Sequence, residues 1–144
     1  ANASTALPAL ILVDIWQWTP FVFLIITAGL ESLPVEPYEA AAIDGATSFQ
    51  TLFYITIPML KYILLVVILI RGIDALKTFD IIYVITSGGP GAATQTLVFY
   101  TFLQGFAWFK LGYASCIAII LLVAVIVLIQ LFIKYTGVKF VDVD

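Results

Sequence analysis

The sequence predicts an all-α membrane protein with three transmembrane helices. Three observations carry that prediction. Of the 144 residues, 63% are hydrophobic and 10% charged, against roughly 45–50% and about 25% in soluble domains. Mean hydropathy is +1.16. One run, residues 111–133, has no charge at all and exceeds the ~20 residues needed to cross a ~30 Å hydrocarbon core.

Composition also excludes classes of function. Six Lys+Arg against nine Asp+Glu give a net charge of −3. A nucleic-acid partner is therefore not expected, because that interface needs a cationic surface to release counterions. The chain has no histidine. That removes Ser-His-Asp and Cys-His catalysis and the commonest transition-metal ligand. Cys116 is the single cysteine, so no internal disulfide forms; in its apolar run it reads as an inert small hydrophobe. The chain opens on Ala1 and carries no positive charge through Leu7. It thus lacks a signal-peptide n-region and reads as a piece of a longer protein.

Taken in order, the first span runs from about residue 7 to 30, with Asp14 its only charge. Pro8 suits a first helical turn and Pro20 predicts a kink. Residues 31–58 are the least hydrophobic long stretch, holding Glu31, Glu36, Glu39 and Asp44. Pro34 and Pro37 start it and Pro58 ends it. Its middle, from Glu39 to Asp44, is Ala-rich and opens with an acid, as a helix N-terminus favours. One or two short surface helices are expected, with Gly45 a break and with Phe49, Leu52 and Phe53 facing bilayer or bundle. The second span is read as about 59–85, and residues 88–91 stop any helix. Residues 86–110 form a connecting segment, aromatic-rich from Phe99 to Phe109, as suits a membrane interface. The third span is 111–133. A three-span layout puts Lys61, Lys134 and Lys139 on one side against Lys77 and Lys110 on the other, a weak charge bias.

Ionisable groups inside a span usually face a bundle interior or an aqueous cavity. Arg71, Asp74 and Thr78 fall within about 60° of one another on a helix. Arg71 and Asp74 are placed to pair. Two readings stand: the wall of a translocation path, or an ion pair that fixes packing or snorkels outward. Asp14, Gln17, Trp18, Phe21 and Ile25 share a face of the first span. A carboxylate, an amide and an aromatic ring together suit a sugar-like ligand. For Asp14 and Trp16 the reading preferred here is a position near the aqueous end, within an aromatic belt.

The 31–58 segment carries the most specific pattern in the chain. Glu39-Ala40-Ala41, three residues, Gly45, nine residues, then Ile55-Thr56-Ile57-Pro58 resembles the EAA motif of ABC importer permeases, with Ile57 where Leu is usual. Trp18-Thr19-Pro20-Phe21, Phe79-Asp80, Gly88-Gly89-Pro90-Gly91, Thr94-Gln95-Thr96-Leu97 and Leu111-Gly112-Tyr113-Ala114 extend the likeness to carbohydrate-type, maltose-transporter-like permeases. The resemblance covers nearly the whole chain and corresponds to the last three helices of a six-helix type I permease.

That resemblance implies a binding-protein-dependent permease subunit for a sugar or sugar-like solute, multi-pass in a bacterial or archaeal cytoplasmic (inner) membrane. The EAA loop would be a cytoplasmic coupling helix, the C-terminus would be cytoplasmic, and residues 86–110 would be extracytoplasmic. Glu39, Ala40, Ala41, Asp44, Gly45 and Pro58 would form the ATPase-coupling element: Glu39 in polar contact, the alanines permitting close approach, Gly45 bending, Pro58 marking return to the bilayer. Asp14, Gln17, Arg71, Asp74, Ala75 and Thr78 are the candidate translocation path. Implied partners are an ABC ATPase dimer, a second homologous permease, an extracytoplasmic solute-binding protein and the lipid bilayer. The chain has no phosphate loop of the Gly-x-x-x-x-Gly-Lys-Ser/Thr type. It is thus expected to be no enzyme and to bind no cofactor, with ATP held by the partner. An intramembrane Asp14–Asp74 dyad is disfavoured, because Arg71 would keep Asp74 ionised. A secondary transporter or structural subunit without ATPase coupling is the alternative.

Overall fold

The computed structural model describes residues 2–137. Among them are helices and turns and no strand. Three helices are long and apolar enough to cross a membrane: α1 (Ala3–Glu31), α3 (Ser48–Leu76) and α5 (Leu111–Thr136). Between them lie the short α2 (Glu36–Ile43) and the apolar α4 (Leu97–Ala107). Lys139 lies outside the described residues.

Helix α1 begins at Ala3, so Pro8 lies inside it rather than in its first turn. Pro20 is also internal. Beside it the Thr19 hydroxyl donates to the Ile15 carbonyl at 2.6 Å. Where α1 crosses α3, Gly29 is buried; a Cβ there would stand 2.8 Å from Ile63 Cδ1 and 3.1 Å from Leu60 Cδ2. The side chains of Ile63 and Leu60 therefore pack into the space that a side chain at position 29 would take, as small residues allow between membrane helices. Gly29→Val is expected to push the two helices apart and lower thermal stability in detergent by about 1–3 kcal/mol. Ile63→Ala in the same chain should recover part of the loss.

The second span departs from the sequence reading at both ends. Its helix begins at Ser48, within the segment read as a surface loop, and stops at Leu76 rather than 85. At the start, Thr47 forms a capping box with Gln50: the Thr47 amide donates to Gln50 Oε1 at 2.8 Å, and the Thr47 hydroxyl accepts from the Gln50 amide. Pro58 does not end the segment but sits inside the helix. Its ring crowds a carbonyl one turn back and it has no N–H. A π-helical turn, Leu52–Thr56, precedes it and widens the helix there. At the far end Lys77 takes a non-helical conformation. The apolar residues after it led hydropathy past a real break. Phe79, Ile81 and Ile82 pack inward with Leu10, Phe99 and Leu103.

Helix α3 packs on α5 along a groove of about 350 Å³, lined among others by Gly72, Leu76, Val125 and Phe132. Val125 lies 14 positions after Leu111, about 21 Å along α5. The end of α3 is therefore level with the inner part of α5, not with its start. Residues 77–96 follow as turns and one π-helical turn, Ile82–Thr86. Helices α4 and α5 then form a tight hairpin, with Gly105 against Ala114. Cys116 faces outward on α5, not into a core.

Candidate functional site

The break after Leu76 and the middle of α1 bring the charges together. Arg71 Nη2 donates to Asp14 Oδ2 at 2.6 Å, and Nη1 donates to Asp74 Oδ2 at 2.8 Å. The guanidinium carbon stands 4.6 Å from the centroid of the Trp18 ring, a cation–π contact. Side-chain exposures are 19% for Arg71, 24% for Asp14 and 36% for Asp74. Asp14 is therefore a half-buried ion-pair partner, not a solvated residue at a helix end. The two carboxylates do not meet as a dyad, because one cation lies between them.

The remaining candidate residues divide. Gln17, Asp14, Asp74 and Thr78 border a small cleft of about 90 Å³ with Trp18, Lys77, Phe79 and Asp80. Ala75 borders a neighbouring cavity of about 280 Å³, together with Asp14, Thr78 and Thr96. The carbonyl of Thr78, released where α3 ends, accepts from the Thr96 hydroxyl at 3.1 Å. Non-helical backbone at membrane depth persists only where protein buries it or where it lines a watery cavity. Here Thr78 is half-buried, while Lys77 and Asp80 are exposed.

The coupling candidates lie at the other end of α3. Helix α2 has Pro37 in its first turn with Glu36 and Glu39. Ala41 is buried, while Glu39, Ala40, Asp44 and Gly45 are exposed and Ile43 is 87% exposed. Gly45 has φ +71°, the left-handed region that glycine enters freely. It turns the chain so that the Ala46 amide donates to the Ala41 carbonyl at 2.9 Å. Pro58 stands apart, ten positions up α3 from Ser48. Tyr38 Oη donates to Thr56 Oγ1 at 3.2 Å, and Thr56 Oγ1 donates to the Thr51 carbonyl at 3.3 Å.

A family model described as "Binding-protein-dependent transport system inner membrane component" matches residues 2–136. The chain belongs to this family. Among curated relatives, the chain is 46% identical over 121 residues to a trehalose/maltose transport system permease protein of Thermococcus litoralis, covering 83% of this chain and 40% of the relative. It is 42% identical over 116 residues to a sulfoquinovosyl glycerol transport system permease protein of Agrobacterium fabrum (81% and 38%). It is 35% identical over 137 residues to an arabinooligosaccharides transport system permease protein of Bacillus subtilis (94% and 44%). The chain spans less than half the length of these three relatives.

Sequence reasoning missed several residues that the structure brings to the candidate sites. Lys77 and Asp80 were hidden inside a span drawn too long. A signal did exist for them: three charges within seven residues, from Asp74 to Asp80, sit poorly in an unbroken membrane helix. Tyr38 and Thr56 carry no such signal, since their contact depends on how α2 folds back.

Proposed function

We propose that this chain is the path-lining, ATPase-facing part of a permease subunit in an ATP-driven importer for a sugar or sugar-like solute. The observation that carries this reading is one continuous helix. Ser48–Leu76 is unbroken, with the exposed α2 at its base and the Asp14–Arg71–Asp74 cluster near its tip. Ser48 and Arg71 are 23 residues apart, about 35 Å along the axis. A rod of that length suits the transfer of movement from a docking helix to a polar site deep in the membrane.

In this mechanism α2 is cytoplasmic and seats on an ATPase partner, which binds and hydrolyses ATP. Small side chains at Ala40 and Ala41 allow close approach, and Glu39 supplies a polar contact. Closure of the ATPase dimer moves the base of α3 and biases the bundle between inward-open and outward-open states. Asp14, Gln17, Arg71, Asp74, Ala75 and Thr78, with Lys77 and Asp80 beside them, line the path. Hydroxyl-rich solutes are matched by carboxylate, amide and aromatic groups. A second homologous permease completes the path. A solute-binding protein delivers the solute from the opposite side, near residues 86–110. The relatives' names for sugar and glycoside transport support the solute class.

The test is purification of the full-length protein in mild detergent, with co-purifying proteins identified by mass spectrometry. Recovery of a nucleotide-binding ATPase and a second permease is expected. Recovery of this protein alone, or of a homo-oligomer, favours a secondary transporter and rejects the proposal. Gly45→Val supplies a finer test. Nothing lies within 4 Å of the position its Cβ would take, so the substitution acts through backbone conformation, at a cost of about 1–2 kcal/mol. Uptake per co-purified ATPase is expected to fall several-fold while membrane insertion stays normal.

A further inference from the structure

Besides packing, helix α2 has two links to α3 among the described residues. One is the covalent turn from Asp44 to Thr47. The other is the hydrogen bond from Tyr38 Oη to Thr56 Oγ1. A helix held only by its turn would swivel about Gly45, where φ +71° marks a point of backbone freedom. The second attachment closes α2 into a bracket. Its foot is at Ser48 and its strut reaches α3 eight positions higher.

The strut lands on a particular place. Thr56 is the last residue of the π-helical turn Leu52–Thr56, two positions before Pro58. It is one of the few buried polar residues, at 8% exposure. Its hydroxyl accepts from Tyr38 and donates to the Thr51 carbonyl, so both roles are filled. A π turn beside a proline is where a helix bends most readily. A push on α2 therefore reaches α3 at its weakest point as well as at its end.

We propose that Tyr38 and Thr56 are positioning residues for coupling: their bond makes α2 and the base of α3 move as one body. The proposal rests on the reading of α2 as the ATPase-docking helix. Neither side chain touches ATP or solute in this scheme, so their loss should spare ATP hydrolysis and lower the transport obtained from it.

The test uses the full-length importer reconstituted in proteoliposomes with its ATPase and binding protein. Tyr38→Phe removes the donor and keeps the ring, Thr56→Val removes the acceptor and keeps the shape, and Thr56→Ser keeps the hydroxyl. Solute transported per ATP hydrolysed is expected to fall about five-fold in Tyr38→Phe and in Thr56→Val, the factor that a single net hydrogen bond carries. It should fall no further in the double variant, and Thr56→Ser should match the wild type. ATPase co-purification and hydrolysis without solute should be unchanged in all. An unaltered transport-to-ATP ratio in Tyr38→Phe and Thr56→Val overturns the proposal, as does a ratio held constant while the amount of assembled importer falls. Wild-type protein that captures no ATPase fails the parent reading instead, and this proposal with it. If Tyr38→Phe does not assemble, the Thr56→Val and Thr56→Ser pair decides.

Discussion

Arg71→Met is expected to abolish uptake and destabilise the full-length protein by about 2–3 kcal/mol. Removing the guanidinium takes away the salt-bridge partner that Asp14 and Asp74 share. Breaking a fully buried pair costs about 3–5 kcal/mol; the 19–36% side-chain exposure of these three groups lowers that figure. The ring of Trp18 also loses its cationic partner. Stability and transport separate in a triple variant, Asp14→Asn with Arg71→Met and Asp74→Asn. Neutral amides need no counter-charge, so the melting temperature should largely return. Uptake should not, if these groups line the path. A triple variant that regains both stability and transport would show that the cluster only holds α1 to α3. Thermal unfolding in detergent and uptake in proteoliposomes are the two measurements.

The second large effect is expected at Gly88. This residue is buried with φ +81°. A Cβ there would stand 2.6 Å from Phe99 Cε1 and 2.8 Å from Gln95 Cγ. Phe99 is 2% exposed and anchors the cluster with Leu10 and Ile82, so it has little room to yield. Around the same turn the Thr94 hydroxyl lies 2.8 Å from that of Thr86 and donates to the Gly89 carbonyl at 2.9 Å. Gly88→Ala should therefore lose about 3 kcal/mol or more, combining left-handed strain with overpacking. Gly91→Ala is the control. Its φ is +62° but nothing lies within 4 Å, so only the backbone part, about 1 kcal/mol, is expected. Melting temperatures of the two full-length variants, compared side by side, isolate the packing contribution. Equal losses would show that Phe99 moves aside.

Much of this architecture can be read from local sequence. Residues 111–133 have no charge, and α5 starts at Leu111. The Ala-rich stretch after Glu39 becomes α2, and Gly45 takes the positive φ its position asks for. What escaped were features set by distant partners. Asp14 and Arg71 are 57 positions apart, and no periodicity along one helix links them. The end of α3 was misplaced because Ile81, Ile82, Val84 and Ile85 keep hydropathy high beyond the break. Burial of Ile82 against Leu10 and Phe99 is a tertiary fact that mimics a continuing span. Pro58 misled in the other direction: proline reads as a boundary, and the widened turn before it makes it tolerable. The candidate site divides along the same line. Arg71 and Asp74, three positions apart, were paired from spacing alone, and Trp18 was placed on the face of Asp14 and Gln17, whereas the Arg71–Trp18 contact, the roles of Lys77 and Asp80 and the Tyr38–Thr56 contact needed three-dimensional placement.

The π turn at Leu52–Thr56 bears on which changes of chain length this helix tolerates. Such a turn closes its hydrogen bonds over five residues instead of four, so it stores one surplus residue. Deleting a residue there lets the turn relax to an α-helix, and everything beyond keeps its angular register. Deleting one between Lys61 and Ile70 has no such reserve. At ~3.6 residues per turn, it rotates the rest of the helix by about 100° and swings Arg71 away from Asp14. An engineered single-residue deletion is therefore expected to cost less fold stability at the π turn than higher in the span, where it scrambles the faces above it.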